Sequence, residues 1–379
     1  MTSFSKRELE RYSRHIIIPE FNIEGQRKLK EAKVLVIGTG GLGAPLLQYL
    51  AAAGVGHLGI VDFDIVDQSN LQRQVLFGME DIGRPKVEAA SERLRNLNPD
   101  IEIKTFNTRF TSENALDIMK GYDLVADGTD NFPTRYLVND AAVILDIPNV
   151  YASIYRFDGQ ASVFNYTFPD GTKGPQYRDL FPSPPPPELV PSCAEGGVLG
   201  VLPGIMGSIQ ALEVIKVITG TGDPLAGKLF LFEATSFQTR TLRISKREDT
   251  PRVSELIDYE AFCFPASMAE SKDDVTEISV AELFNWKQSG KEFQLIDVRE
   301  NYEYEISNIG GELIPKDVIS NRTEMIRTDI PVVIYCRSGK RSAEAIRSLS
   351  GKFGFKNLLN LKGGILAYAD EVDPDLAKY

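Results

Sequence analysis

Cysteine is scarce in this sequence, with Cys193, Cys263 and Cys336 the only three among 379 residues. An odd number spread so widely makes a poor disulfide framework and points to a reducing compartment, with the cytoplasm expected. Long apolar runs are missing too. Stretches such as residues 51–55 and 229–232 fall far short of the ~20 residues that cross a bilayer, so no membrane span is expected. Residues 1–14 are polar and charged, without the apolar run of a secretory signal. A positive charge balance is also lacking: the net charge of −11 repels phosphate backbones on average, so direct nucleic-acid binding is not expected. No internal repeat is visible, and the only low-complexity run is the proline stretch at 183–187.

What is present is ordinary globular composition, 42% hydrophobic and 25% charged, in a chain long enough for about two domains. Residues 33–38 (KVLVIG) read as a strand ending in glycine, and residues 46–53 as the helix after it. Strand-like runs at 57–61, 101–106 and 124–126 alternate with helical stretches at 86–96 and 112–120, the rhythm of a doubly wound parallel sheet. The segment 169–191 carries the prolines and reads as a long crossing loop. A helix over 205–219 and paired strands over 228–244 follow, so a first α/β domain is expected over residues 1–248. The charged, irregular residues 249–275 read as a linker. From 276 to 379 the rhythm restarts in a smaller α/β domain, with strands at 294–298 and 331–335 and a helix at 342–350.

Gly38, Gly40 and Gly43 form G-x-G-x-x-G between strand and helix, where glycines permit a tight turn and helix-terminal N–H groups can hold phosphate. Asp62, at the end of the next strand, is placed to bind ribose, so an NAD-dependent oxidoreductase stands as one reading. A second set of residues favours another. Chemistry at a nucleotide phosphate brings anions together, and the charge must be met by fixed cations and a metal ion. Arg73 and Lys86 suit that as phosphate clamps, Asn70 as a polar positioner, and Asp130 as an oxygen ligand for Mg²⁺.

These residues stand in Ser69-Asn70-Leu71-Gln72-Arg73-Gln74, Gly83-Arg84-Pro85-Lys86 and Asp127-Gly128-Thr129-Asp130-Asn131. With Arg11-Tyr12-Ser13-Arg14-His15 and Gly38-Thr39-Gly40-Gly41-Leu42-Gly43, and in this order, the segments resemble the adenylation domain of the MoeB/ThiF family, relatives of ubiquitin-activating enzymes. The resemblance implies a Rossmann-like domain in which Gly41, Asp62, Ser69, Asn70, Leu71, Gln72, Arg73, Lys86, Asp130 and Asn131 contact ATP. It implies that Arg14 reaches the phosphates from the partner subunit of a homodimer. It also implies a partner, a small ubiquitin-like sulfur carrier ending in Gly-Gly. Such carriers serve molybdopterin (molybdenum cofactor), thiamine, thiolated tRNA or cysteine synthesis.

Cys193, in Pro191-Ser192-Cys193-Ala194-Glu195-Gly196-Gly197, stands where family members carry a cysteine able to bond to the activated carboxyl terminus. A lone cysteine is otherwise a small buried hydrophobe. Cys336 has a stronger context. A buried strand ends at Cys336-Arg337-Ser338-Gly339-Lys340-Arg341, and a helix follows, so backbone N–H groups and cations surround a thiolate or persulfide. With residues 295–300 (LIDVRE), the segment 276–379 resembles a single rhodanese domain, whose sulfur donor would be a cysteine desulfurase or thiosulfate. Related phosphatases separate cysteine and arginine by five residues; here four lie between Cys336 and Arg341, a smaller loop that suits sulfur. A partner-binding rhodanese module without catalysis is the remaining alternative.

One family feature is missing. Many MoeB/ThiF relatives hold a structural zinc in two C-x-x-C pairs, whereas this chain has Gln176 and Asp179 at the first. The second pair is expected near 260–263, where only Cys263 remains. Tetrahedral zinc needs four ligands, so no zinc site is expected.

Overall fold

In the strand β1 (Lys33–Ile37) successive side chains point to opposite faces, and both faces are covered. Val34 and Val36 pack into one apolar layer and Leu35 and Ile37 into another. This arrangement, seen in a computed structural model that describes residues 3–185, 196–264 and 275–379, makes β1 the centre of a doubly wound sheet. The chain divides into two compact units, Met1–Ala266 and Ser267–Tyr379.

The first unit contains β1, β2 (His57–Asp62), β3 (Glu102–Asn107), β4 (Leu124–Asp127), β5 (Asn149–Tyr155), β6 (Asp158–Phe164), β7 (Lys228–Glu233) and β8 (Gln238–Arg243) in one sheet of order β3-β2-β1-β4-β5-β6-β7-β8. Strands β3 to β5 along that order are parallel, and β6, β7 and β8 extend the sheet antiparallel. Its helices are α1 (Lys6–Arg11), α2 (Ser13–Ile16), α3 (Asn22–Glu31), α4 (Gly43–Ala53), α5 (Lys86–Leu97), α6 (Ala115–Met119), α7 (Phe132–Leu145), α8 (Tyr177–Leu180), α9 (Val201–Thr219) and α10 (Tyr259–Cys263). Leu46, Leu47 and Leu50 of α4 cover one face, and Tyr136, Leu137 and Ala141 of α7 the other. The helix α9 is long and apolar enough by composition to cross a membrane, yet its Gln210 is spent inside the fold, donating to the carbonyls of Asp127 and Val150 at 2.7 Å.

Two expectations need correction. The proline-bearing segment 169–191 is not loop throughout, because α8 forms within it and buries Tyr177, Arg178 and Asp179. Pro186, Pro187 and Cys193 lie outside the described residues. The residues from 249 to 264, read as linker, belong to the first unit. The Tyr259 hydroxyl donates to Asp140 at 2.8 Å, and Cys263 is buried in the same apolar layer as α7. Leu256, Tyr259 and Cys263 do stand at helical spacing, but the run is short and set among charges, so it does not stand out in the sequence although all three pack inward.

The second unit holds a parallel sheet of order β11-β10-β12-β13-β9, built from β9 (Glu277–Ile278), β10 (Gln294–Asp297), β11 (Glu312–Leu313), β12 (Val332–Tyr335) and β13 (Leu358–Leu361). Helices α11 (Val280–Ser289), α12 (Asn301–Ile306), α13 (Lys316–Ile319), α14 (Lys340–Phe353) and α15 (Gly364–Glu371) cover it. The alternation of β1 recurs in β12, with Val332 and Ile334 in one layer and Val333 and Tyr335 in the other.

Candidate functional site

Strand order reverses between β1 and β4, and in an open α/β sheet the crevice at that switch point is where ligands bind. The loop after β1 turns at Gly38, whose φ of +90° favours glycine. A Cβ on Gly43 would lie 2.0 Å from the Gly38 carbonyl oxygen, so glycine is required for α4 to start so close to the turn. The loop after β4 is fastened to the same point, with Gly128 N–H donating to the Ile37 carbonyl at 2.9 Å. Between the two loops opens a cavity of about 840 Å³, a size that suits a cofactor-like ligand.

Gly41, Asp62, Asn70, Arg73, Lys86, Asp130 and Asn131 line this cavity. Arg73 is steadied by donating to the Ser69 carbonyl at 3.1 Å. Buried Lys86 pairs with Asp64 at 3.1 Å. Asp62 accepts from the Thr39 N–H and hydroxyl on one oxygen and from the Asp64 N–H on the other. Of roughly four acceptor positions on a carboxylate, one is therefore left for a ribose hydroxyl. Asp130 is exposed and makes no hydrogen bond among the described residues, so its oxygens are free for a cation. Magnesium bound through one carboxylate plus phosphates and waters fits that donor set.

The structure does not bring the whole expected set together. Ser69, Leu71 and Gln72 are not among the cavity's lining residues. Ser69 serves the short turn that aims its neighbours, donating twice to Asp67. Arg14 lies exposed on α2 and does not line the cavity of its own chain.

Other lining residues carried no sequence motif. Arg109, after β3, stacks its guanidinium 4.4 Å from the centroid of Phe63. Residues 256–260, from the supposed linker, form part of the wall, tied down where the Ser112 hydroxyl donates to the Ile257 carbonyl at 2.6 Å. The loop after β3 could have been foreseen from topology, since loops at the carboxyl ends of parallel strands meet at the crevice.

At the expected zinc position Asp179 accepts from the Gln176 N–H at 2.8 Å, the Arg247 N–H at 2.9 Å and the Thr250 hydroxyl at 2.6 Å. The segment facing Gln176 and Asp179 is thus 247–250, not 260–263 as read from the sequence. Cys263 lies in the core, where burial pushes its thiol up to about 12 and keeps it protonated. Three donors aimed at one carboxylate do the joining that four zinc ligands would do, and the side chains at 176, 247 and 250 are poor zinc ligands. Elemental analysis of the purified protein is expected to give far less than one zinc per chain, and chelator should leave the melting temperature unchanged. Asp179→Ala should cost about 1–3 kcal/mol, since it removes the buried acceptor of three partly buried hydrogen bonds. A chelator-resistant ratio near one zinc per chain would refute this account.

In the second unit Cys336 directly follows β12, 1% exposed. Its Sγ accepts from the Gly339 N–H at 3.2 Å, and the Ser342 hydroxyl lies 3.4 Å away while reaching Asn360 at 2.6 Å. The loop turns the Gly339 N–H toward sulfur while the carbonyls of Cys336 and Arg337 are taken elsewhere. Ile365 and Leu366 N–H groups, at the start of α15, donate to the carbonyls of Cys336 and Arg337 at 2.9 and 3.2 Å. That approach needs Gly364, where an added Cβ would lie 2.4 Å from the Cys336 oxygen. Arg341 does not point freely at the sulfur; it forms a two-pronged pair with Glu303 at 2.7 and 2.5 Å. Ser338 and Lys340 complete the loop, and α14 begins at Lys340 behind the left-handed Gly339.

The sequence pattern of the ThiF family matches residues 12–253, and that of the rhodanese-like domain residues 279–371. Over 382 residues the chain is 50% identical to the probable adenylyltransferase/sulfurtransferase MoeZ of Mycobacterium tuberculosis, covering 100% of this chain and 97% of that one. Over 266 residues it is 54% identical to the sulfur carrier protein adenylyltransferase of Thermus thermophilus, covering 69% of this chain and 98% of that one. In fold it is similar to E. coli MccB crystallised with MccA-N7isoASN, with a TM-score of 0.57 and 22% identity over 65% of this chain and 74% of that one.

Proposed function

Because the chain belongs to the ThiF family and joins a rhodanese-like domain to it, we propose that this adenylyltransferase and sulfurtransferase activates a ubiquitin-like sulfur carrier with ATP and delivers sulfur to it from a Cys336 persulfide. The observation that carries the first half is the cavity at the switch point, where Asn70, Arg73, Lys86 and Asp130 converge on the glycine loop. The carboxylate of the carrier's terminal glycine attacks the α-phosphorus, pyrophosphate leaves, and an acyl adenylate forms. Arg73 and Lys86 offset the charge that builds on the phosphates, which in a dry site is the largest contribution to rate. Asp130 would hold Mg²⁺, which neutralises phosphate charge when bound. The partner subunit's Arg14 would add a further cation in a homodimer.

The second half rests on the Cys336 loop. The outer sulfur of a persulfide, loaded by a cysteine desulfurase or by thiosulfate, attacks the acyl carbon and AMP leaves. The thiocarboxylate is released when a second thiol, a role open to Cys193, attacks the Cys336 sulfur and displaces it, leaving a disulfide on Cys336 that a cellular dithiol or glutathione reduces. Thiol chemistry of this kind suits the reducing cytoplasm. An NAD-dependent oxidoreductase would have no use for Arg73, Lys86 and Asp130 around the loop.

The test is capture of a small protein ending in Gly-Gly, followed by ATP–pyrophosphate exchange in its presence. Exchange that depends on the carrier is expected. Binding of NAD with no exchange for any such carrier would sink the proposal.

A further inference from the structure

Tyr379 lies 42 residues beyond Arg337 in sequence, yet its backbone oxygen accepts from the Arg337 Nε. Its ring sits beside two guanidinium groups, 5.6 Å from that of Arg337 and 5.7 Å from that of Arg299. Its hydroxyl accepts from Arg299 Nη1 at 2.5 Å and donates to Glu303 at 3.1 Å. Arg299 is fully buried, its charge matched by Asp297 at 2.6 Å, so it is a fixed support rather than a mobile surface group. Glu303 in turn holds Arg341 through both oxygens and accepts from the Glu300 N–H at 3.0 Å. Burial alone would raise the Glu303 carboxyl, but Arg341 and these other donors outweigh it and hold it below the ordinary range. Both arginines of the Cys336 loop therefore end on one small assembly whose middle member is Tyr379.

An arginine side chain is long, and a guanidinium contributes to an anionic site mainly when its orientation is set before the anion arrives. Sulfur donors such as thiosulfate are anionic, and so are the thiolate and persulfide of Cys336. We infer that Tyr379 is a positioning residue for sulfur transfer, orienting Arg337 directly and Arg341 through Glu303, the two arginines of the loop that holds Cys336. This rests on the reading of Cys336 as the sulfur-carrying group. Tyr379 acts only through the two arginines, and needs no contact with the sulfur itself.

The test uses the full chain, thiosulfate as donor and cyanide as acceptor, with carrier-dependent ATP–pyrophosphate exchange as the internal control. Tyr379→Ala is expected to raise KM for thiosulfate about tenfold while kcat changes by less than about threefold, the pattern of lost binding rather than lost chemistry. Tyr379→Phe keeps the ring beside both guanidinium groups but loses the hydroxyl link to Glu303, so it should recover only the share of that loss carried by Arg337. On an Arg337→Ala background, Tyr379→Ala should add clearly less than its effect alone, the remainder being the share carried through Glu303 and Arg341, because groups acting through one another are not additive. A wild-type KM in Tyr379→Ala, or a full additional loss on the Arg337→Ala background, would overturn the inference. A purely structural role would instead lower kcat and the melting temperature of both Tyr379 variants without a selective change in KM. Failure of the underlying reading looks different: Cys336→Ser would still turn over thiosulfate, and the inference would fall with it.

Discussion

Serine at position 336 leaves carrier-dependent ATP–pyrophosphate exchange at its normal rate and lowers sulfur transfer by about a thousandfold or more, the size of effect seen when a nucleophile is lost. The expectation follows from where the groups lie. Arg73, Lys86 and Asp130 all belong to the unit Met1–Ala266, and Cys336 to the unit Ser267–Tyr379. On the proposed mechanism, activating a carboxylate is expected to need nothing from the second unit, whereas a hydroxyl cannot carry a persulfide sulfur. Mass spectrometry of the carrier reads the result, a thiocarboxylate being heavier than the carboxylate by the difference between sulfur and oxygen. Cys193→Ser should have a milder or carrier-dependent effect if other thiols release the product, and an equal one if a carrier bond through Cys193 is obligatory. Normal thiocarboxylate formation by Cys336→Ser from the same donor would leave the second unit as a partner-binding scaffold.

Arg73→Ala and Asp130→Ala should each remove carrier-dependent exchange by about a hundredfold to a thousandfold, the usual cost of deleting one charge-stabilising group. Neither change should disturb folding. Arg73 makes its hydrogen bond to a backbone carbonyl at the surface, and exposed Asp130 makes none among the described residues. Substitutions of that kind generally stay within about 0.5 kcal/mol of wild type. Circular dichroism would confirm the fold, so lost exchange could be assigned to the site. Full exchange in both variants would remove Arg73 and Asp130 from the reaction.

The parts of this molecule legible in the sequence are those governed by local rules. The alternation along β1 and the glycines at 38 and 43 are each dictated by neighbours within a few residues, and so is the strand–loop–helix around Cys336. The parts that were not legible depend on residues far apart. The Asp179 carboxylate meets Arg247 and Thr250, 68 and 71 residues later. Arg341 reads from its loop position as a free cation near sulfur, and only the fold shows it already paired with Glu303, 38 residues earlier. Ser69, Leu71 and Gln72 belong to the nucleotide set by resemblance, whereas the short turn there directs only Asn70, Arg73 and Gln74 toward the cavity, a local geometry that motif matching does not resolve.

The wall formed by residues 256–260 sets where these two units can be parted. A gene shortened to end the activating half at residue 248 would encode a nucleotide cavity open on one side, missing Ile257 against Ser112 and Tyr259 against Asp140. Ending it just beyond Phe264 would keep every one of these links. Exchange of sulfur-transfer halves between relatives, by recombination or in the laboratory, therefore has a preferred seam, and that seam lies past the wall rather than at the first charged stretch after the sheet.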